Sequence, residues 1–161
     1  MKQILLALLF TVISLQAETL LGYVIKVADG DTITILDANK TQHKIRLNFI
    51  DAPESKQAFG QKSRKYLDDM VYHKNVTVEF EKRDMYGRVL GFVFVDGKNV
   101  NLEMVKAGFA WHYEHFAKNA TEYAEAQQQA KEAKLGLWAD PNPIPPWDFR
   151  KDAKNRKKKA K

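Results

Sequence analysis

Five short runs of β-branched and aromatic residues, at 20–28, 32–36, 43–50, 76–80 and 89–95, set the strongest limit on how this chain folds. Within them apolar side chains recur at a period of two, which puts one strand face on a core and the other toward solvent. Asp29-Gly30 is a turn signal between the first two runs and predicts a hairpin, and Asp96-Gly97 is another after the fifth. Between the third and fourth runs, Phe59, Tyr66, Leu67 and Met70 or Val71 fall near helical spacing, so a helix is expected over 57–72, with Gly60 weakening its first turn. Two more helices are expected, at 101–106, ended by Gly108, and at 121–134, where Asn119 and Glu122 read as a capping pair and Gly136 as the stop. Such a chain is mainly β with α (α+β), and its element order suits a five-stranded OB-fold barrel with three helices.

At 161 residues the chain has the length of one domain. Residues 1–17 stand apart from it: Lys2 is followed by a nearly continuous apolar stretch over 4–15, and Ala17 precedes Glu18. This is the pattern of a cleavable signal peptide, so a secreted or periplasmic protein is expected, with no transmembrane domain in its mature form. The barrel domain is then assigned to 18–140. Cysteine is absent, which removes disulfides and thiolate metal sites. The four histidines show no zinc spacing. Residues 148–161 hold eight Lys or Arg against two Asp, which accounts for the whole net charge of +6. With prolines at 141, 143, 145 and 146 in front of it, this end reads as an extended linker and a disordered basic tail over 141–161, able to add affinity for polyanions without specificity.

Charged residues collect at strand ends. Asp29-Gly30-Asp31-Thr32, Arg46 with Asp51-Ala52-Pro53-Glu54, and Asp84-Met85-Tyr86-Gly87-Arg88 each border one of the predicted strands, and barrel closure would bring them together. Asp31, Asp51 and a backbone carbonyl beside Asp51 form part of an oxygen shell for a hard cation, with water and phosphate completing it. Arg46 and Arg88 carry planar guanidinium groups that donate paired hydrogen bonds to phosphate oxygens. Glu54, just beyond Pro53, is a candidate general base for an attacking water.

In order and spacing these three segments resemble the signatures of the staphylococcal nuclease (thermonuclease) family, over roughly residues 20–140. The resemblance implies a Ca²⁺ cofactor held by Asp31, Asp51 and the Ala52 carbonyl, catalytic roles for Arg46, Arg88 and Glu54, and substrate contacts from Tyr86 and Tyr113. It also implies DNA and RNA as substrates, hydrolysed with the 5′-oxygen leaving and a 3′-phosphate remaining. Many members have threonine at the position of Ala52 and the best-known pattern has lysine at that of Met85, and the segment after Glu54 is shorter here. A monomer without an obligate protein partner is expected, because a closed barrel leaves no strand edge to cover. The alternative is a catalytically silent OB-fold module that binds nucleic acid, a role that would not need both arginines, the glutamate and both aspartates.

Overall fold

The alternating runs close into a barrel in the computed structural model, which describes residues 18–159; the signal-peptide expectation for 1–17 falls outside them. The strands are β1 (Glu18–Asp29), β2 (Thr32–Leu36), β3 (Gln42–Leu47), β4 (Ile50–Asp51), β5 (Asn75–Arg83), β6 (Val89–Val95), β7 (Lys98–Asn99) and β8 (Trp111–His112). Helix α1 (Gly60–Val71) lies between β4 and β5, α2 (Val100–Lys106) between β7 and β8, and α3 (Thr121–Glu132) and α4 (Pro146–Lys159) follow. Sheet order is β3-β2-β1-β5-β6-β7, and a parallel pairing of β3 with β6 closes the ring.

Alternation decides what fills the ring. Along β6, Val89, Gly91, Val93 and Val95 point inward and the residues between them are half-buried. They meet Val24, Ile33, Ile35, Ile45, Leu47 and Val78, all fully buried. Each such side chain contributes about 1.5–3 kcal/mol by leaving water. Leu67 and Val71 of α1 and Met104 and Val105 of α2 cap this core.

Three local expectations change. The third strand stops at Leu47, because Phe49 takes a left-handed φ of 66° and turns the chain into the separate β4, which pairs Ile50 with His112 and Asp51 with Trp111. Helix α1 begins only at Gly60, after Phe59 at φ 64°. Gly60 is no weakness there: a Cβ on it would lie 1.9 Å from the Glu54 carbonyl oxygen, so only glycine lets the helix start against that loop. At α3 the N-cap is Ala120 with no side-chain bond, so the Asn119 and Glu122 capping pair does not form.

The largest correction concerns the basic end. Residues 146–159 are helical, not a disordered tail, and the barrel carries four helices in place of three. Pro146 opens α4, a position where its missing N–H costs no helical hydrogen bond, and Asp148 lies in the first turn, where the helix dipole favours it. The helix is docked. Trp147 stacks on Tyr113 at 5.4 Å and 14° and meets Trp111 edge-on at 5.7 Å, while the Gln57 side chain donates to the Ile144 carbonyl at 2.5 Å. Composition alone hid this, because Lys and Arg favour helix as readily as disorder once an aromatic anchor is present.

Candidate active site

The site begins at the β1–β2 turn. A Cβ on Gly30 would lie 1.9 Å from Ser63 Oγ and 2.8 Å from the Ala52 Cβ, so the missing side chain lets this turn press against α1 and the β4 exit. Asp31 is thereby aimed inward and buried: its Oδ2 accepts from the Ala52 amide at 2.7 Å, and its Oδ1 from the Thr32 hydroxyl at 3.0 Å. Asp51, at 1% exposure, faces it from β4.

Arg46 ties the two together. The β2–β3 register sets it opposite Thr32, and its Nη2 contacts Asp31 Oδ2 at 3.1 Å and Asp51 Oδ1 at 3.0 Å. Its Nη1 donates to the carbonyls of Leu47 at 2.7 Å and Ile50 at 2.9 Å. Four acceptors thus fix one guanidinium, a rigidity that lysine could not reproduce.

The electrostatics favour positive charge here. Burial pushes the Asp51 carboxyl up; the Arg150 hydrogen bond pulls it down, and the charge of Asp31 adds to the rise. Asp29 is pushed up from 3.8 to about 6, first by burial and then by the charge of Asp31. The native protein therefore binds a proton on Asp29 between about pH 4 and 6 that the unfolded chain has released, so this group's contribution to stability falls as pH rises through that window. Asp29→Asn, whose amide oxygen can still accept from the Asp31 N–H, is expected to stabilise the chelator-treated protein at pH 7 by about 1–2 kcal/mol after solvent screening. It should also remove that decline between pH 4 and 6; urea unfolding at the two pH values checks it, and an unchanged slope refutes it.

Arg88 stands at the tip of the β5–β6 hairpin. Asp84 shapes the turn by accepting from the amides of Tyr86 and Arg88, each at 2.9 Å, and holds the Arg88 Nε at 2.7 Å. Partial burial would raise the Asp84 carboxyl, but the Arg88 side chain and the turn amides outweigh it and keep it below the ordinary carboxylate range. Tyr86 is exposed, with its ring 5.7 Å from the Arg88 guanidinium carbon.

All the residues singled out in the sequence line one cavity of about 1190 Å³: Asp31, Arg46, Asp51, Ala52, Glu54, Tyr86, Arg88 and Tyr113. The structure brings Asp31, Arg46, Asp51 and Ala52 into direct contact, and sets Glu54, Arg88 and the two tyrosines around the wall. Tyr113 is covered on one side by Trp147. Among the described residues no three acidic or histidine side chains form a closed metal cage. Two adjacent buried carboxylates under mutual repulsion nonetheless fit an open cation site, whose remaining oxygens would come from backbone, water and phosphate.

One site residue escaped the sequence reading. Arg150 of α4 donates through Nη2 to Asp51 Oδ2 at 2.7 Å, and through Nη1 to Glu54 Oε1 at 2.8 Å and Asp51 Oδ1 at 3.2 Å. The available signal was Pro146-Trp147-Asp148, a helix start with an aromatic anchor, ahead of the lysines.

The sequence model of the staphylococcal nuclease homologue family matches residues 44–140. A Haemophilus influenzae protein described as an uncharacterized endonuclease is 46% identical over 150 residues, covering 92% of this chain and 84% of its own length. An Escherichia coli protein of the same description is 46% identical over 130 residues, 80% of this chain and 84% of its own. The micrococcal nuclease of Shigella flexneri is 39% identical over 144 residues, 83% of this chain and 82% of its own.

Proposed function

This chain belongs to the staphylococcal nuclease family and is a nuclease, and from that premise we propose an exported, Ca²⁺-dependent phosphodiesterase that cleaves DNA and RNA to 3′-phosphate products. The observation that carries the reading is the buried Asp31 and Asp51 pair joined by Arg46, in one cavity with Glu54 and Arg88.

In this mechanism Arg46 and Arg88 bind the scissile phosphate and stay charged while negative charge builds on its oxygens. Glu54 accepts a proton from the attacking water, the water oxygen bonds to phosphorus, and the 5′-oxygen departs with the electron pair of its bond and is protonated by solvent. Asp31, Asp51 and the Ala52 carbonyl would hold Ca²⁺, which supplies Lewis-acid polarisation of a phosphate oxygen. Tyr86, exposed at the hairpin tip, and Tyr113, which lines the same cavity, are assigned to the substrate strand. Both present aromatic faces on which bases stack without regard to sequence.

Export rests on the leader pattern of residues 1–17, with the nuclease domain beginning near residue 18. Among the described residues no helix is long and apolar enough to cross a membrane. The proposal includes a monomer, which the closed β3–β6 seam supports because the ring itself has no open edge to recruit a partner.

Labelled DNA and RNA offered to the mature protein with Ca²⁺, and with chelator, test this reading. Cleavage with Ca²⁺ that stops on chelation, leaving 3′-phosphate ends by mass spectrometry, is the expected result. Cleavage indifferent to chelator, or 5′-phosphate ends, would refute the cofactor or the leaving group respectively.

A further inference from the structure

Glu54 is half exposed, and its carboxylate has a single hydrogen-bond partner among the described residues, the Arg150 guanidinium. A side chain in that position would otherwise exchange rotamers in solvent, and a general base that wanders loses much of its effect. The same guanidinium spans Asp51, taking both of its oxygens at 2.7 and 3.2 Å. It therefore fixes the distance between two carboxylates that would repel each other without it.

We propose that Arg150 is a positioning residue of the nuclease reaction, a third arginine of the site that orients Glu54 through a fork shared with Asp51. Arg46 and Arg88 are assigned to the phosphate, whereas every hydrogen bond of Arg150 runs to the Asp51 and Glu54 carboxylates. The fork sits on a helix, and the helix is anchored at Trp147, one turn before Arg150, by stacking on Tyr113. A rigid element with an aromatic anchor is what holds a supporting group to the tolerance that catalysis needs. Lysine would not serve, since one ammonium cannot present two parallel donors to Asp51 and a third bond to Glu54.

The inference rests on the assignment of Glu54 as base, and the test separates the two. Full-length mature protein carrying Arg150→Ala, Arg150→Lys or Glu54→Gln is assayed on single-stranded DNA in Ca²⁺, with melting temperatures measured alongside. Arg150→Ala is expected to lower kcat about 10- to 100-fold with KM changed less than about threefold, the signature of a misplaced group and not of lost binding. Added guanidinium ion should restore part of that rate, sodium chloride at equal ionic strength should not, and Arg150→Lys should recover less than guanidinium does. Glu54→Gln should gain nothing from guanidinium. Unchanged kcat in Arg150→Ala overturns the inference. A raised kcat also overturns it, and would make α4 a plug on the site. Should Arg150→Ala fail to fold, Arg150→Gln, which keeps most of the side-chain bulk, carries the same comparison. Full activity in Glu54→Gln would sink the base assignment itself; an inactive Glu54→Gln beside a fully active Arg150→Ala sinks only the role of Arg150.

Discussion

Arg46→Ala is expected to lower kcat by about 10²–10³ and, in the same molecule, to destabilise the metal-free fold by about 3 kcal/mol. The two effects share one cause. Arg46 is the only side chain among the described residues that contacts both Asp31 and Asp51, and both carboxylates are buried. Removing it leaves Asp31 without its charged partner in a low-dielectric setting, while Asp51 keeps Arg150. This places the loss at the low end of that for a broken buried pair. Two backbone carbonyls, of Leu47 and Ile50, also lose their donor. Ca²⁺ should return part of the lost stability, because a cation between the carboxylates restores the missing charge, but it cannot restore the rate. Arg46→Lys should stay close to the alanine variant in rate, since one ammonium cannot meet four acceptors. Urea unfolding with and without Ca²⁺, beside steady-state cleavage, measures all of this; a kcat within tenfold of wild type would remove Arg46 from the chemistry.

Glu54→Gln should have the larger effect on rate and almost none on stability. Loss of a general base in a positioned site costs about 10²–10⁴ in rate. The amide oxygen of glutamine can still accept from Arg150 Nη1, and the side chain is half exposed, so unfolding free energy should change by less than about 1 kcal/mol. Binding of single-stranded DNA, followed by fluorescence anisotropy in Ca²⁺, should remain within threefold. A variant that cleaves at more than a tenth of the wild-type rate would leave the proton from water without an acceptor in this account, and the base would have to be sought elsewhere.

The contrast between these two residues mirrors what the sequence could and could not reveal. Arg46 and Asp31 were legible because strand alternation and the Asp-Gly turn signal act locally: once β2 and β3 pair in register, Thr32 must face Arg46. Glu54 was legible through Pro53 and its neighbours, but not the reason its loop holds, which is Gly60 fitting against its carbonyl. The end of β3 was missed because a phenylalanine at φ 66° leaves no mark in a hydrophobic pattern. The failure at α4 has a different origin. Lysine-rich composition suggested a solvated tail, yet Trp147 stacked on Tyr113 helps seat the helix beside the Arg150 ion pairs, one of which joins residues 96 positions apart. Local rules carry no information over that distance. Five strands follow from periodicity; a long-range ion pair follows only from the assembled surface.

The parallel seam between β3 and β6 also governs when activity can appear. It sets Arg46 against Leu90, two positions from Arg88, and so joins segments that the whole of α1 and β5 keep apart along the chain. Long-range pairings of this kind, like those of β1 with β5 and β4 with β8, carry a loop-closure entropy that the local hairpins do not and form later than they do. Each arginine is held by its own neighbours, but the seam sets the two beside one another, so refolding should return cleavage no earlier than this pairing forms. Cleavage is thereby tied to the completed ring and not to any single hairpin within it.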